Sequence, residues 1–454
     1  MKPLCIGLVG KGTEAQELLE QIGSPYKIVD FNKPFSLEDF SVMVIARELA
    51  PQENKLIEKF AAGGGSVLHD CNAGNLHDYK AIEKGFIGGK TGVPEVVSFC
   101  HKGKNTFDFI RLLTEKFESR GLPFVHKWFY PKKFGSAFGF HVDVDFDCRP
   151  DTKKAIDVLK HKRAVWFVNC EAIKADKTIL SLLSDEIVGN HNFRHEFFGS
   201  EKDYENVIAS DRFFKANGLR PKGFCAPNGL LNEHMISALV SCGYEYAVGF
   251  GAGYDCLPFH LKGKTLLIGI HPICIEILKT RDFNEKQMLD YFKAAFDRNL
   301  GNNVPCFFYG HPFKAIARFP RVVSQMFEYA EKCNVWMTNV EEFSQWWLKR
   351  EKTDFDAFFD GEKVFIKTGN KNKDFSVRIL FKGKEAIAGM EEASYSIKEI
   401  EMKKANNNFE PGHGKIGRAG IKFTLKKSIG KALEMFKKKQ YKGEQSNNAY
   451  INII

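Results

Sequence analysis

Short apolar runs alternate with helical stretches along most of this chain, and the residues able to do chemistry sit where the apolar runs end. That alternation constrains the fold more than any other feature. Parallel strands need long crossover connections, and helices supply them, so the pattern predicts helix-covered parallel sheets. Between residues 130 and 350 the spacing predicts strands at 139–145, 164–168, 186–189, 246–249, 304–310 and 335–338. Helices are expected at 152–159, 231–242 and 321–331, with Thr152 as a cap and Gly243 as a stop. This block is long enough for a barrel of parallel strands with outer helices, which holds chemistry at the C-terminal strand ends.

Two further blocks flank it. Residues 1–125 read as a doubly wound α/β accessory domain, with strands at 5–9, 27–30, 41–46 and 66–69 and helices at 13–22 and 51–62. Residues 10–15 match the glycine fingerprint of Rossmann-like dinucleotide sites, but Gly10 and Gly12 equally suit a tight strand-to-helix turn. The stretch 42–70 resembles glutamine-amidotransferase-like domains, without a nucleophile-elbow pattern, and Cys71 lacks evident His and Glu partners. The block is therefore expected to bind no cofactor and to be non-catalytic. Residues 355–454 are expected to form a small β domain and a basic tail. From Glu401 to Ile454, twelve Lys or Arg oppose four Glu, a net charge of +8 that favours anionic partners.

Composition narrows the class. With 44% hydrophobic and 27% charged residues, the chain is globular rather than disordered. No apolar run approaches the roughly 20 residues of a membrane span, and the start lacks the features of a secretory leader. The eleven cysteines contain no CxxC pair. Free thiols in a reducing cytoplasm are expected.

Four segments in the middle block carry the chemistry. The first is Phe140-His141-Val142-Asp143-Val144-Asp145-Phe146-Asp147. On a strand, positions 143, 145 and 147 share a face. Carboxylates gathered there are costly unless they bind a cation or share protons. The second segment, His191-Asn192-Phe193-Arg194-His195, sets two imidazoles four residues apart, able to meet at one metal. Thirteen histidines would produce about 0.4 such pairs by chance, so the pair gains meaning only from its partners. The third, Gly223-Phe224-Cys225-Ala226-Pro227-Asn228-Gly229, is a strand end whose Pro and Gly can aim a backbone N–H into a site. The fourth, Phe307-Phe308-Tyr309-Gly310-His311-Pro312, delivers one His at a strand tip, where a nearby carboxylate would suit it to acid catalysis.

In order and spacing these segments, over residues 135–347 and ending in Val335-Trp336-Met337-Thr338-Asn339-Val340-Glu341-Glu342-Phe343, resemble the polysaccharide deacetylase family of carbohydrate esterases (NodB homology). The resemblance implies a distorted (β/α) barrel and a divalent metal, Zn or else Mn, Co or Ni, held by Asp145, His191 and His195. It implies Asp143 as the catalytic base, His311 as the general acid and the backbone N–H of Asn228 as the oxyanion donor. The alternating Asp143-Val144-Asp145 pair resembles one subgroup, the pair being adjacent elsewhere. Two positions depart from the family pattern: Cys225 stands where an Arg usually holds the base, and Asn192 where Ser or Thr is usual. Arg194 and Arg220 are the substitutes at hand.

The function so implied is metal-dependent removal of an N-acetyl or other acyl group from an amino sugar. A cytoplasmic enzyme would meet that sugar in a lipid- or nucleotide-linked precursor. No nucleic-acid partner is expected, and the basic tail could meet a membrane surface. Two other readings stay open: a glycan-binding protein on a degenerate barrel, and a hydrolase of a small formyl or cyclic amide.

Overall fold

The structure, a computed structural model, describes residues 1–69, 100–146, 149–250, 257–369, 372–391 and 393–405. Cys71, Asp147 and the basic tail beyond 405 lie outside the described residues.

Near the N-terminus, four parallel strands are ordered Tyr26–Ile28, Ile6–Val9, Val42–Ile45, Ser66–His69. Alternate residues of these strands feed different cores. Ile6, Leu8, Val42 and Val44 pack with Leu18, Leu19 and Ile22 of the Glu14–Ile22 helix and with Phe109 and Leu113. Val9, Met43 and Ile45 pack with Ile57 and Phe60 of the Pro51–Ala62 helix. Helices on both faces make the sheet doubly wound, as expected. The glycine loop is a strand-to-helix turn: Gly10 and Gly12 take φ of 128° and 72°. The Thr13 hydroxyl donates to the Gly10 carbonyl and caps the helix, while the Gly12 N–H donates to the Gln16 side chain at 2.8 Å.

The central sheet has nine strands. Its path runs Phe259–Leu261, Thr265–Ile270, Tyr246–Phe250, Gly223–Cys225, Ile187–Asn190, Val165–Val168, Ser136–Val144, Cys306–Gly310, with Val335–Met337 beside the start of Ser136–Val144. All pairs are parallel except Phe259–Leu261, which is antiparallel to its neighbour. The ladder path is open. Its curl brings the far sides together, where the His271 N–H donates to the Phe307 carbonyl at 2.9 Å and the Tyr309 hydroxyl to the Pro272 carbonyl at 3.3 Å. On Ser136–Val144 the even residues Phe138, Phe140, Val142 and Val144 join an outer core with helix residues such as Leu159, Phe296 and Phe327. The odd residues face the other way, where His141 meets Phe167 and Tyr309 of neighbouring strands. Gly139 on that face cannot carry a side chain in place, because a Cβ would lie 2.7 Å from the Thr338 carbonyl oxygen.

The expected C-terminal β block corrects in one respect. Its strands do not form a sheet of their own. Asp356–Phe359 pairs with Lys2–Pro3 on one side and Lys363–Lys367 on the other, and Ala393–Ser396 completes that sheet. Ser376–Phe381 pairs with Phe124–Lys127 and with Lys384–Gly389, and Lys403–Lys404 completes the second. Each small sheet thus combines an early segment with late ones.

Arg350, fully buried at the end of the Val340–Glu351 helix, ties these parts together. Its guanidinium donates to the carbonyls of Gln21, Ile22, Lys127 and Trp128 at 2.7–3.0 Å and packs on the Trp347 ring. Arg350→Met keeps the apolar stem and removes the charged donor from four carbonyls, of which Lys127 keeps a second partner in His126 Nδ1. We expect about 3–5 kcal/mol of lost stability, read from the urea midpoint at constant slope. A loss below about 1 kcal/mol would mean that water replaces the guanidinium.

Candidate active site

The Ser136–Val144 strand places Asp143 within the sheet and releases Asp145 just past its tip. Two strands away, Ile187–Asn190 ends immediately before His191. The backbone there is fixed by side-chain amides. The Asn169 Nδ2 donates to the carbonyls of His191 and Asn192 at 3.1 and 3.2 Å, and Asn190 accepts from the Asn192 N–H at 2.7 Å. Asn192 adopts φ 71°, a left-handed conformation that Asn tolerates better than Ser or Thr. The turn brings His195 back beside His191, with ring centroids 4.9 Å apart.

Asp145 is the hub. Its Oδ1 lies 3.1 Å from His191 Nε2 and 3.4 Å from His195 Nε2, and its Oδ2 lies 3.4 Å from His311 Nε2. His191 Nδ1 is 3.0 Å from the Cys225 carbonyl oxygen. A carbonyl only accepts, so the ring donates from Nδ1 and points Nε2 at Asp145. Burial disfavours the charged ring of His191, but Asp143 and then Asp145 outweigh it and raise its pKa. His195 shifts the other way, lowered by burial and then by the neighbouring charge of His191.

Asp145, His191 and His195 fit a divalent cation. One ligand atom from each lies within 4.8 Å of the others. His191 Nε2 and Asp145 Oδ1 are buried with no hydrogen-bond partner, a costly arrangement that a cation relieves. Two imidazoles and a carboxylate suit Zn²⁺ and leave positions open.

On one side of this trio stands Asp143, buried, with Oδ1 3.4 Å from His141 Nε2. Burial alone would raise its carboxyl, but the charges of His141 and His191 hold it well below the usual carboxylate range. On the other side, at the end of Cys306–Gly310, stands His311. Its Nδ1 is 2.8 Å from Glu276 Oε1, which also accepts the His311 backbone N–H at 3.3 Å. Burial works against the charged ring, yet the Glu276 hydrogen bond and charge, then Asp145 and Asp143, raise its pKa to about 9.

Of the five side chains expected to act together, Asp145 meets His191, His195 and His311, and Asp143 lies near enough for the charges of His191 and His311 to act on it. Asn228 occupies the Pro227–Gly229 turn in a left-handed conformation, φ 56°, with an exposed side chain. It follows by three residues Cys225, whose carbonyl holds His191. Neither expected arginine substitute supports the base. Arg194 is solvent-exposed and reaches toward Glu171, and Arg220 is exposed. Sequence reasoning missed two partners. His141 was legible in principle, two residues before Asp143 on the same face. Glu276 had no local signal.

No family model matches the chain, and no curated protein matches it. Among solved structures it is similar to a protein from Mycobacterium smegmatis designated a polysaccharide deacetylase, at 12% identity and TM-score 0.42, covering 49% of this chain and 93% of that one. It is also similar to a CE4 family pseudoenzyme from Bacillus anthracis, at 13% identity and TM-score 0.34, covering 47% and 66%. A third is a family 4 carbohydrate esterase from Streptomyces lividans in complex with acetate, at 15% identity and TM-score 0.31, covering 44% and 92%.

Proposed function

We propose that this chain is a metal-dependent hydrolase that removes an N-acetyl or related acyl group from an amino sugar. The observation that carries the reading is the arrangement around Asp145. A cation-ready trio of Asp145, His191 and His195 is flanked by the depressed carboxylate Asp143 and by the carboxylate-backed His311. Two titratable groups pushed to opposite charge states beside one ion are what acid–base hydrolysis of an amide requires.

A divalent ion bound there polarises the amide carbonyl and makes bound water more acidic at neutral pH. The protein does the rest. Asp143, ionised and dry, accepts the proton of the attacking water. The Asn228 N–H steadies the negative charge that develops on the carbonyl oxygen, an effect worth roughly 3 kcal/mol for one donor. His311, held charged by Glu276, gives its proton to the departing nitrogen. A cytoplasmic setting favours a lipid- or nucleotide-linked amino sugar over a finished extracellular polymer.

The test is metal analysis of the purified chain, paired with acetate release from N-acetylglucosamine oligomers and from lipid- and nucleotide-linked N-acetyl sugars. We expect about one ion per chain, turnover lost on chelation and regained with Zn²⁺, Co²⁺ or Mn²⁺. Oligomer binding without acetate release would instead support a glycan-binding protein. Release from formylated or cyclic amides alone would keep the hydrolase and replace its substrate.

A further inference from the structure

Asp143 needs a fixed donor, because a buried carboxylate with a free rotamer is a poor base. The groups whose charge acts on it are His141, His191 and His311, all imidazoles. His191 and His311 are engaged elsewhere, with the Cys225 carbonyl and with Glu276. His141 is different. It is completely buried, it lies two residues before Asp143 on the same strand face, and its Nε2 is 3.4 Å from Asp143 Oδ1, a buried oxygen with no hydrogen-bond partner and so open to a donor from that ring.

The ring is also held in place. It stacks on Tyr309, with centroids 5.7 Å apart and planes 15° apart, and meets the Phe167 ring edge-on at 5.3 Å. Cys225 Sγ lies 4.0 Å from the same Nε2. Burial, then the charge of Asp143, push the Cys225 thiol well up, so it stays neutral beside the imidazole and the carboxylate. One short strand end therefore serves both halves of the site: the Cys225 carbonyl orients His191, and its sulfur closes the pocket around His141.

We propose that His141 is the positioning residue for Asp143, its Nε2–H holding the carboxylate in the single orientation from which it accepts the proton of the attacking water. The catalytic half of this proposal rests on the hydrolase reading, whereas the contact between His141 and Asp143 does not.

The test compares three replacements and one spectrum. His141→Gln places an amide N–H₂ near the Nε2 position, His141→Asn places it near Nδ1, and His141→Ala removes it. We expect kcat to fall about 100-fold in the alanine and asparagine variants, with KM and bound metal unchanged, and the glutamine variant to recover most of it. Equal rates for glutamine and asparagine, wild-type kcat in the alanine variant, or loss of metal in step with kcat would each overturn the role. Independently of turnover, the ¹⁵N-histidine spectrum of the full chain should show a downfield ring proton on His141 Nε2 that is lost in Asp143→Ala and kept in Cys225→Ala. Its absence from the unmutated protein overturns the proposal even if no sugar is deacetylated. Its presence in a chain that releases no acetate upholds the contact and rejects the hydrolase reading alone.

Discussion

Replacing His191 with alanine is expected to remove bound metal and turnover together, with kcat/KM falling a thousandfold or more, equivalent to about 4 kcal/mol of transition-state stabilisation. His191 is the member of the trio with the least freedom. It is 1% exposed, its Nδ1 is spent on the Cys225 carbonyl, and its backbone is pinned by Asn169. His195 is half-buried and held by a turn, so His195→Ala should weaken metal binding less, leaving activity that excess metal restores. The paired readouts are metal content per chain and acetate release, with circular dichroism to confirm that the fold persists. Full activity in His191→Ala would remove the trio from the mechanism altogether.

Much of this site was legible because strands impose a period of two and end where they meet solvent. The alternation from Phe140 to Asp145 by itself assigns the odd positions to one face, and the structure puts His141 and Asp143 there. The fourfold spacing of His191 and His195 reads as a shared ligand pair, and their rings do come together. The limits are equally physical. Glu276 lies 35 residues from His311 along the chain, so no local pattern couples them. They meet because the curled sheet sets the end of Thr265–Ile270 beside Cys306–Gly310, a matter of ladder register that periodicity does not encode. The pairing of Lys2–Pro3 with Phe358 and Phe359 was hidden for a similar reason, since two residues carry no period. At the glycine loop the residue types allowed two readings. In the folded chain Thr13 and Gln16 bond within that turn.

The acid limb of the mechanism yields the second large effect. His311→Ala should lower kcat by roughly a hundredfold to ten-thousandfold while the metal stays bound, because the trio of ligands is untouched. The pH dependence separates His311 from its support. General acid catalysis needs the ring charged, so activity is present below the His311 pKa and lost as pH rises through it. Burial opposes that charge, and Glu276 is the largest influence in its favour, ahead of Asp145 and Asp143. A cation on Asp145 cancels that residue's share and leaves the Glu276 share intact, so the basic limb of the working enzyme should fall somewhat below about 9. Glu276→Gln removes the main raising influence, and the limb should then move to lower pH, with kcat reduced most at alkaline pH and least at acid pH. The same sign governs stability. A His whose folded pKa is raised contributes its full stabilisation below the unfolded value near 6.5 and loses it as pH climbs through the folded one. Thermal melts of the metal-free protein should therefore show Glu276→Gln costing more stability at pH 6 than at pH 9.5. If the basic limb stays in place in Glu276→Gln, the departing nitrogen takes its proton from another group.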